Sequence, residues 1–210
     1  MLKHPFYRDW SEGKLSMESL HDYARQYWHH ERAFPRCISS IHSQCDDLKK
    51  RQILLSNLVD EEKGDENHAE LWLRFAEGLG VKRNDVISSE MNDETLALVN
   101  GFAALARRSY VHGLGAIFAY ECQVPGVAAT KIAGLKKFYD VNDERTLKFF
   151  ETHLKVDEWH SEECARLIDQ ATESEFKAMK EGADKGARLL WKFLDGAYKG
   201  NQGESCNTCH

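Results

Sequence analysis

A chain of 210 residues, 42% hydrophobic and 30% charged, is long enough to bury a core as one domain and too apolar to be disordered. Its 28 basic and 34 acidic residues, a formal charge of −6, remove the electrostatic reason to expect nucleic acid or an anionic membrane as partner. The longest apolar stretch, around "GLGAIFAY", is far short of the roughly 20 residues that span a bilayer, and "MLKHPFYRDW" lacks the apolar run of a secretion signal, so a cytoplasmic protein is expected.

Apolar residues recur at spacings of three and four over most of the chain, and only three prolines occur. "LSMESLHDYARQYWHHERAF" opens at a Ser before such a run, and Pro35 is expected to end or kink that helix. "CISSIHSQC" and "LKKRQILLSNLVDEE" read as the next two pieces. Gly64 breaks or bends the chain before "ENHAELWLRFAEGLG", which stops at Gly78 and Gly80. After the polar connector "VKRNDVISSEMND", "ETLALVNGFAALARRSY" and "GLGAIFAYECQ" read as two helix halves with a hinge at Gly113. Pro125 starts the helix through "VAATKIAGLKKFY", "DERTLKFFETHLKVDEWHSEECARLIDQA" is one long helix, and "EFKAMKEGADKGARLLWKFLDGAY" closes the domain. The expectation is a single all-α helical bundle over 1–198 with a flexible C-terminal tail over 199–210.

Cys37, Cys45, Cys122 and Cys164 are scattered singly at helical positions and are expected as buried free thiols. The tail ends in C-x-x-C-H, which is also the haem c attachment pattern, but no export route or fold around the iron accompanies it. Opportunistic metal or redox binding is the expectation there.

The chemistry concentrates in three places. In "HLKVDEWH", His153, Asp157 and His160 lie four and then three residues apart, which brings the side chains within roughly 60° of one another on one helix face. That pattern serves either as three ligands of a metal or as a polar surface stripe. "DEEKGDENH" holds Glu61 and His68 seven apart, nearly the same azimuth if the helix survives Gly64; if it does not, the pair has to converge by tertiary folding. Glu121 follows a strongly apolar run, where a carboxylate needs compensation by a metal or by a cation such as Arg107 or Lys131. Three carboxylates and three imidazoles without a thiolate suit iron or manganese, and the count is right for two ions.

The order Glu-x6-His, then Glu, then His-x3-Asp-x2-His resembles the haem-oxygenase-like dimetal oxidases and oxygenases, an all-α family that shares the fold of TenA thiaminases and the pyrroloquinoline quinone synthesis oxidase. It differs from ferritin-like bundles, which repeat Glu-x-x-His. "HPFYRDWSEGKLSMESLHDYARQYWHHERAFPRCISSIHSQCDD", "NLVDEEKGDENHAELW" and "YECQVP" look like the subfamily of p-aminobenzoate synthases related to the Chlamydia protein associating with death domains. Only the last dozen residues fall outside the likeness.

The resemblance implies two non-haem metal ions, Fe/Fe or Fe/Mn, held by Glu61, His68, Glu121, His153, Asp157 and His160, with dioxygen and an external reductant as co-substrates. It also implies a self-sacrificing enzyme of folate biosynthesis, in which a tyrosine side chain is oxidised and excised as the aromatic ring and a lysine supplies nitrogen. The matching positions are Tyr7 in "HPFY" and Lys131, ten residues after Glu121. Tyr23 and Tyr27 resemble additional tyrosines near the metals and can relay an electron or radical. Taken alone, Tyr7, Tyr23 and Tyr27 also read as packed core aromatics and Lys131 as an exposed helical lysine. Two other functions are consistent with the chain: a dimetal oxidase acting on an external small molecule, which needs an access channel and a carboxylate anchor, and a non-catalytic helical interaction protein. A haem ligand among His21, His29 and His30 is a further option that nothing singles out. The electron donor is unidentified, and a homodimer is one option for assembly.

Overall fold

The computed structural model describes residues 1–202, except for the side chains of 155–161 and 200–202. It contains α1 (Pro5–Glu12), α2 (Met17–Ser43), α3 (Leu48–Glu62), α4 (His68–Gly78), α5 (Arg83–Ile87), α6 (Asp93–Arg108), α7 (Tyr110–Glu121), α8 (Val124–Phe138), α9 (Glu144–Asp169) and α10 (Glu173–Gln202), with no strand among the described residues. Side chains of Ser16, Asp47, Asn67, Asn92, Ser109 and Asp143 each accept a backbone N–H in the first turn of the helix that follows. Those bonds satisfy donors that a helix start leaves open, which is why the helices begin where they do.

The long α2 runs beside α6 on one flank and α3 and α4 on another, while α10 lies along α7 and α6. Helix α9 packs between α4 and α8, and α1 covers α8. Helix α7 is apolar nearly all round, and Leu114, Ala116, Ile117 and Tyr120 are buried within it, as such a composition requires. No described helix is long and apolar enough to cross a membrane.

Several local expectations give way to packing. Pro35 lies inside α2 and does not end it. An interior proline costs about 3 kcal/mol, whereas burying Phe34, Ile38 and Ile41 contributes about 1.5–3 kcal/mol each, so the helix continues. Gly113 is no hinge: it sits within α7, where an added Cβ would lie 2.4 Å from the Ile41 side chain. The interruption between α6 and α7 falls at Ser109, which is fully extended and caps the second helix. The polar connector contains α5, α10 continues past residue 198, and Cys122 is exposed at the end of α7 while Cys37, Cys45 and Cys164 are buried free thiols.

Candidate metal centre and tyrosine cavity

Helix α3 ends one residue after Glu61, the chain turns at Gly64 with φ +79°, and α4 begins at His68. The two-turn spacing is therefore not what pairs these residues. A short loop does, since glycine adopts that left-handed backbone without strain, and it leaves Glu61 Oε2 2.9 Å from His68 Nδ1. The His68 ring faces that of His153 on α9 at 4.4 Å between centroids. His153 Nδ1 is 2.7 Å from the Phe149 carbonyl, a contact that places the proton on Nδ1 and leaves Nε2 as the lone-pair nitrogen. Metal-bound histidines are oriented in this way.

Glu121, 1% exposed at the end of α7, accepts from Asn57 Nδ2 at 2.6 Å and from the Cys164 thiol at 3.5 Å. Asn57 is one turn before Glu61 on α3, and Cys164 lies on the same α9 face as His153, three turns on. The structure thus gathers Glu61, His68 and His153 into one group and holds Glu121 between Asn57 of α3 and Cys164 of α9. Asp157 and His160 belong to the α9 segment whose side chains lie outside the described residues, as does the C-x-x-C-H of the tail.

One residue in this region escaped the sequence reading. Glu31 on α2 is 2% exposed, and a ligand atom from each of Glu31, His68 and His153 lies within 4.8 Å of the others. The signal was present: Glu31 stands four residues after Tyr27 and eight after Tyr23, so a carboxylate shares the aromatic face of α2 and needs compensation as Glu121 does. The donors fit a hard or borderline divalent ion. Oxygen and imidazole nitrogen converge with no thiolate in the group, and the buried Glu61 Oε2 has no hydrogen-bond donor aligned on it among the described residues.

Across the core from these groups lies a cluster of phenols around one amine. Lys131, on α8, is 3% exposed, so the exposed-lysine reading fails. Its Nζ donates to the Tyr23 hydroxyl at 2.5 Å and lies 5.7 Å from the Tyr7 ring centroid and 5.2 Å from that of Tyr27. The Tyr23 hydroxyl in turn hydrogen-bonds that of Tyr7. Tyr23 and Tyr27 stack at 5.5 Å, and Tyr27 shares a short hydroxyl–hydroxyl hydrogen bond with Tyr120. Burial pushes Tyr7 and Tyr23 above the usual phenol range and pulls Lys131 down to about 7, the last partly opposed by the charge of Glu31.

A cavity of about 40 Å³ joins the two groups, lined by Tyr7, Tyr27, Tyr120, Lys131, Phe150 and His153 among others. Pockets for small organic ligands are several-fold larger, about 300–1,000 Å³. The histidines raised as haem ligands are otherwise engaged: His21 contacts the Leu79 carbonyl, His29 contacts Ser89, and His30 is enclosed by the rings of Tyr27, Phe34, Phe102 and Tyr120.

A family model described as iron-containing redox enzyme matches residues 21–194. A 4-aminobenzoate synthase of Chlamydia muridarum is 36% identical over 211 residues, covering 100% of this chain and 88% of its own length. The 4-aminobenzoate synthase of Nitrosomonas europaea is also 36% identical, covering 95% of this chain and 86% of its own length. Among solved structures, a TenA homologue from P. horikoshii OT3 superposes with a TM-score of 0.77 at 18% identity, covering 95% of this chain and 91% of the other, which is a likeness of fold.

Proposed function

The chain belongs to the iron-containing redox enzymes, here with the haem-oxygenase-like fold, and we propose that it makes 4-aminobenzoate from its own Tyr7 with Lys131 as the nitrogen source. The observation that carries this reading is the burial of Tyr7 and Lys131 against one cavity, too small for an external aromatic substrate, whose far wall is His153. The relatives named 4-aminobenzoate synthase support the product.

The chemistry of the two molecules fits. A tyrosine side chain and 4-aminobenzoate share a benzene ring bearing one carbon and, para to it, one heteroatom. Conversion requires the side-chain carbon to be cut from the backbone and oxidised to a carboxylate, and the phenol oxygen to be exchanged for nitrogen. Dioxygen is the oxidant and an external reductant supplies the remaining electrons. Two metal ions, Fe/Fe or Fe/Mn, held by Glu61, His68, Glu121, His153, Asp157 and His160, supply the oxygen chemistry when bound.

The chain's own residues do the rest. Aromatic walls exclude water from the ring to be excised. Tyr23 accepts from Lys131 Nζ and touches the Tyr7 hydroxyl, so it holds amine and target together and gives the phenol proton a path. The stacked Tyr23 and Tyr27, continued by Tyr120, offer a route for an electron between the target and the metal wall. Beside the Met1 ammonium, Lys131 is the only cationic side chain lining the cavity among the described residues. Each chain then reacts once, and the product serves folate synthesis.

The test is protein made with ring-labelled tyrosine, loaded anaerobically with iron and manganese and then given reductant and dioxygen. Mass spectrometry should find labelled 4-aminobenzoate at no more than one per chain. Unlabelled product, or repeated turnover, would remove the self-substrate reading and leave a metal oxidase with an outside substrate.

The amine sets a pH dependence. Burial favours neutral Lys131, so the nucleophilic form grows as pH rises through about 7. Product formed in a single-event experiment should rise between pH 6 and 8 and then level. A flat profile over that interval would take the protonation of Lys131 out of the limiting step.

A further inference from the structure

We propose that Glu31 is a further carboxylate ligand of the metal centre, closing it on the side that faces Lys131 through the group it forms with His68 and His153. The inference rests on the reading that two metal ions assemble here, and it adds a residue absent from the six-ligand pattern.

Three observations carry it. First, metal–ligand bonds of about 2.0–2.2 Å keep ligand atoms on one ion within about 4.4 Å of each other. The 4.8 Å envelope of Glu31, His68 and His153 therefore needs to close by only a few tenths of an ångström. Second, Glu31 is 2% exposed in the middle of α2, so its carboxylate has no route to bulk water. Third, on the six-ligand reading beneath it, two divalent ions would bring four positive charges against the three negative charges assigned to Glu61, Glu121 and Asp157. A fourth buried carboxylate makes the enclosure neutral, which low-polarity surroundings favour. The competing role is a counter-charge for Lys131 alone. The two roles differ in what they demand, because a ligand needs its oxygen at a fixed place and a counter-charge needs only its sign.

The experiment is an anaerobic Mn(II) titration of the full chain and of Glu31→Gln, Glu31→Asp and His153→Ala, read by metal content after equilibrium dialysis and by the Mn(II) electron paramagnetic resonance spectrum. Removing a group that only orients a ligand typically weakens binding about 10–100-fold. Glu31→Gln and Glu31→Asp should each bind at least one ion about 100-fold or more weakly, beyond the effect of a merely orienting group, with an altered spectrum. Wild-type affinity and spectrum in both variants, beside loss of metal in His153→Ala, would overturn the proposal while leaving the centre intact. Weakening in Glu31→Gln with full retention in Glu31→Asp would also overturn it, in favour of the counter-charge. A wild-type chain that binds no second ion would instead strike the reading beneath. Should Glu31→Gln not fold by circular dichroism, the retained charge of Glu31→Asp still decides between ligand and counter-charge.

Discussion

Tyr7→Phe is expected to abolish 4-aminobenzoate while metal uptake stays at the wild-type level. The substitution leaves a ring of the same shape beside Phe6 and Lys131 and removes only the phenol oxygen. What is lost structurally is one buried hydrogen bond to Tyr23, worth about 1 kcal/mol, too little to unfold a domain. What is lost chemically is decisive, because a phenyl ring has no acidic proton to shed with its electron and no oxygen to exchange for nitrogen. Product quantification and metal analysis on the same sample check this. Wild-type yield would move the ring source elsewhere, with Tyr23, the phenol that accepts from Lys131, the next to replace.

His153→Ala should separate in the opposite sense, losing metal and product together. The imidazole is 2% exposed, oriented by the Phe149 carbonyl and set against His68, so its nitrogen is held in a fixed place. A fall in metal affinity of at least about 100-fold is expected, beyond the usual effect of altering a group that merely orients a ligand. Truncating a buried side chain to Ala costs about 2–5 kcal/mol through the space it leaves. Circular dichroism of the metal-free variant is therefore part of the measurement. Unchanged metal stoichiometry in a folded variant would take His153 out of the centre.

The particular residues show how far the sequence reaches. The helical setting of "HLKVDEWH" was legible because Asp143 caps α9 and neither Gly nor Pro interrupts it. The burial of Glu121 was legible because a carboxylate after an apolar run has to be answered by something, but the donors that answer it, Asn57 and Cys164 in place of Arg107 or Lys131, were not. The pairing of Glu61 with His68 was found, but two turns of continuous helix was only one of its two explanations. Gly64 breaks the helix, and the contact depends on how α3 and α4 pack, which no local pattern encodes. Glu31 was passed over for a different reason: in "HHERAF" it looks like one more polar residue, although its spacing from Tyr23 and Tyr27 already set it on the buried face of α2.

Tyr7 sits with Phe6 and Trp10 on α1, and Trp10 Nε1 donates to the backbone carbonyl of Lys131, so the short first helix is pinned to α8 by the residues around the Tyr7 ring. A chain that has given up that ring keeps the pin but loses its filling. Emptying an aromatic site costs about 3–5 kcal/mol, a large share of the 5–15 kcal/mol that holds a typical domain together. If Tyr7 is consumed as proposed, spent molecules would open more often than intact ones and would be cleaved first by proteases. Under that proposal, supply of the product would follow the rate at which ribosomes make the protein, and the chain would act as a reagent with an expiry, not as a catalyst with a rate.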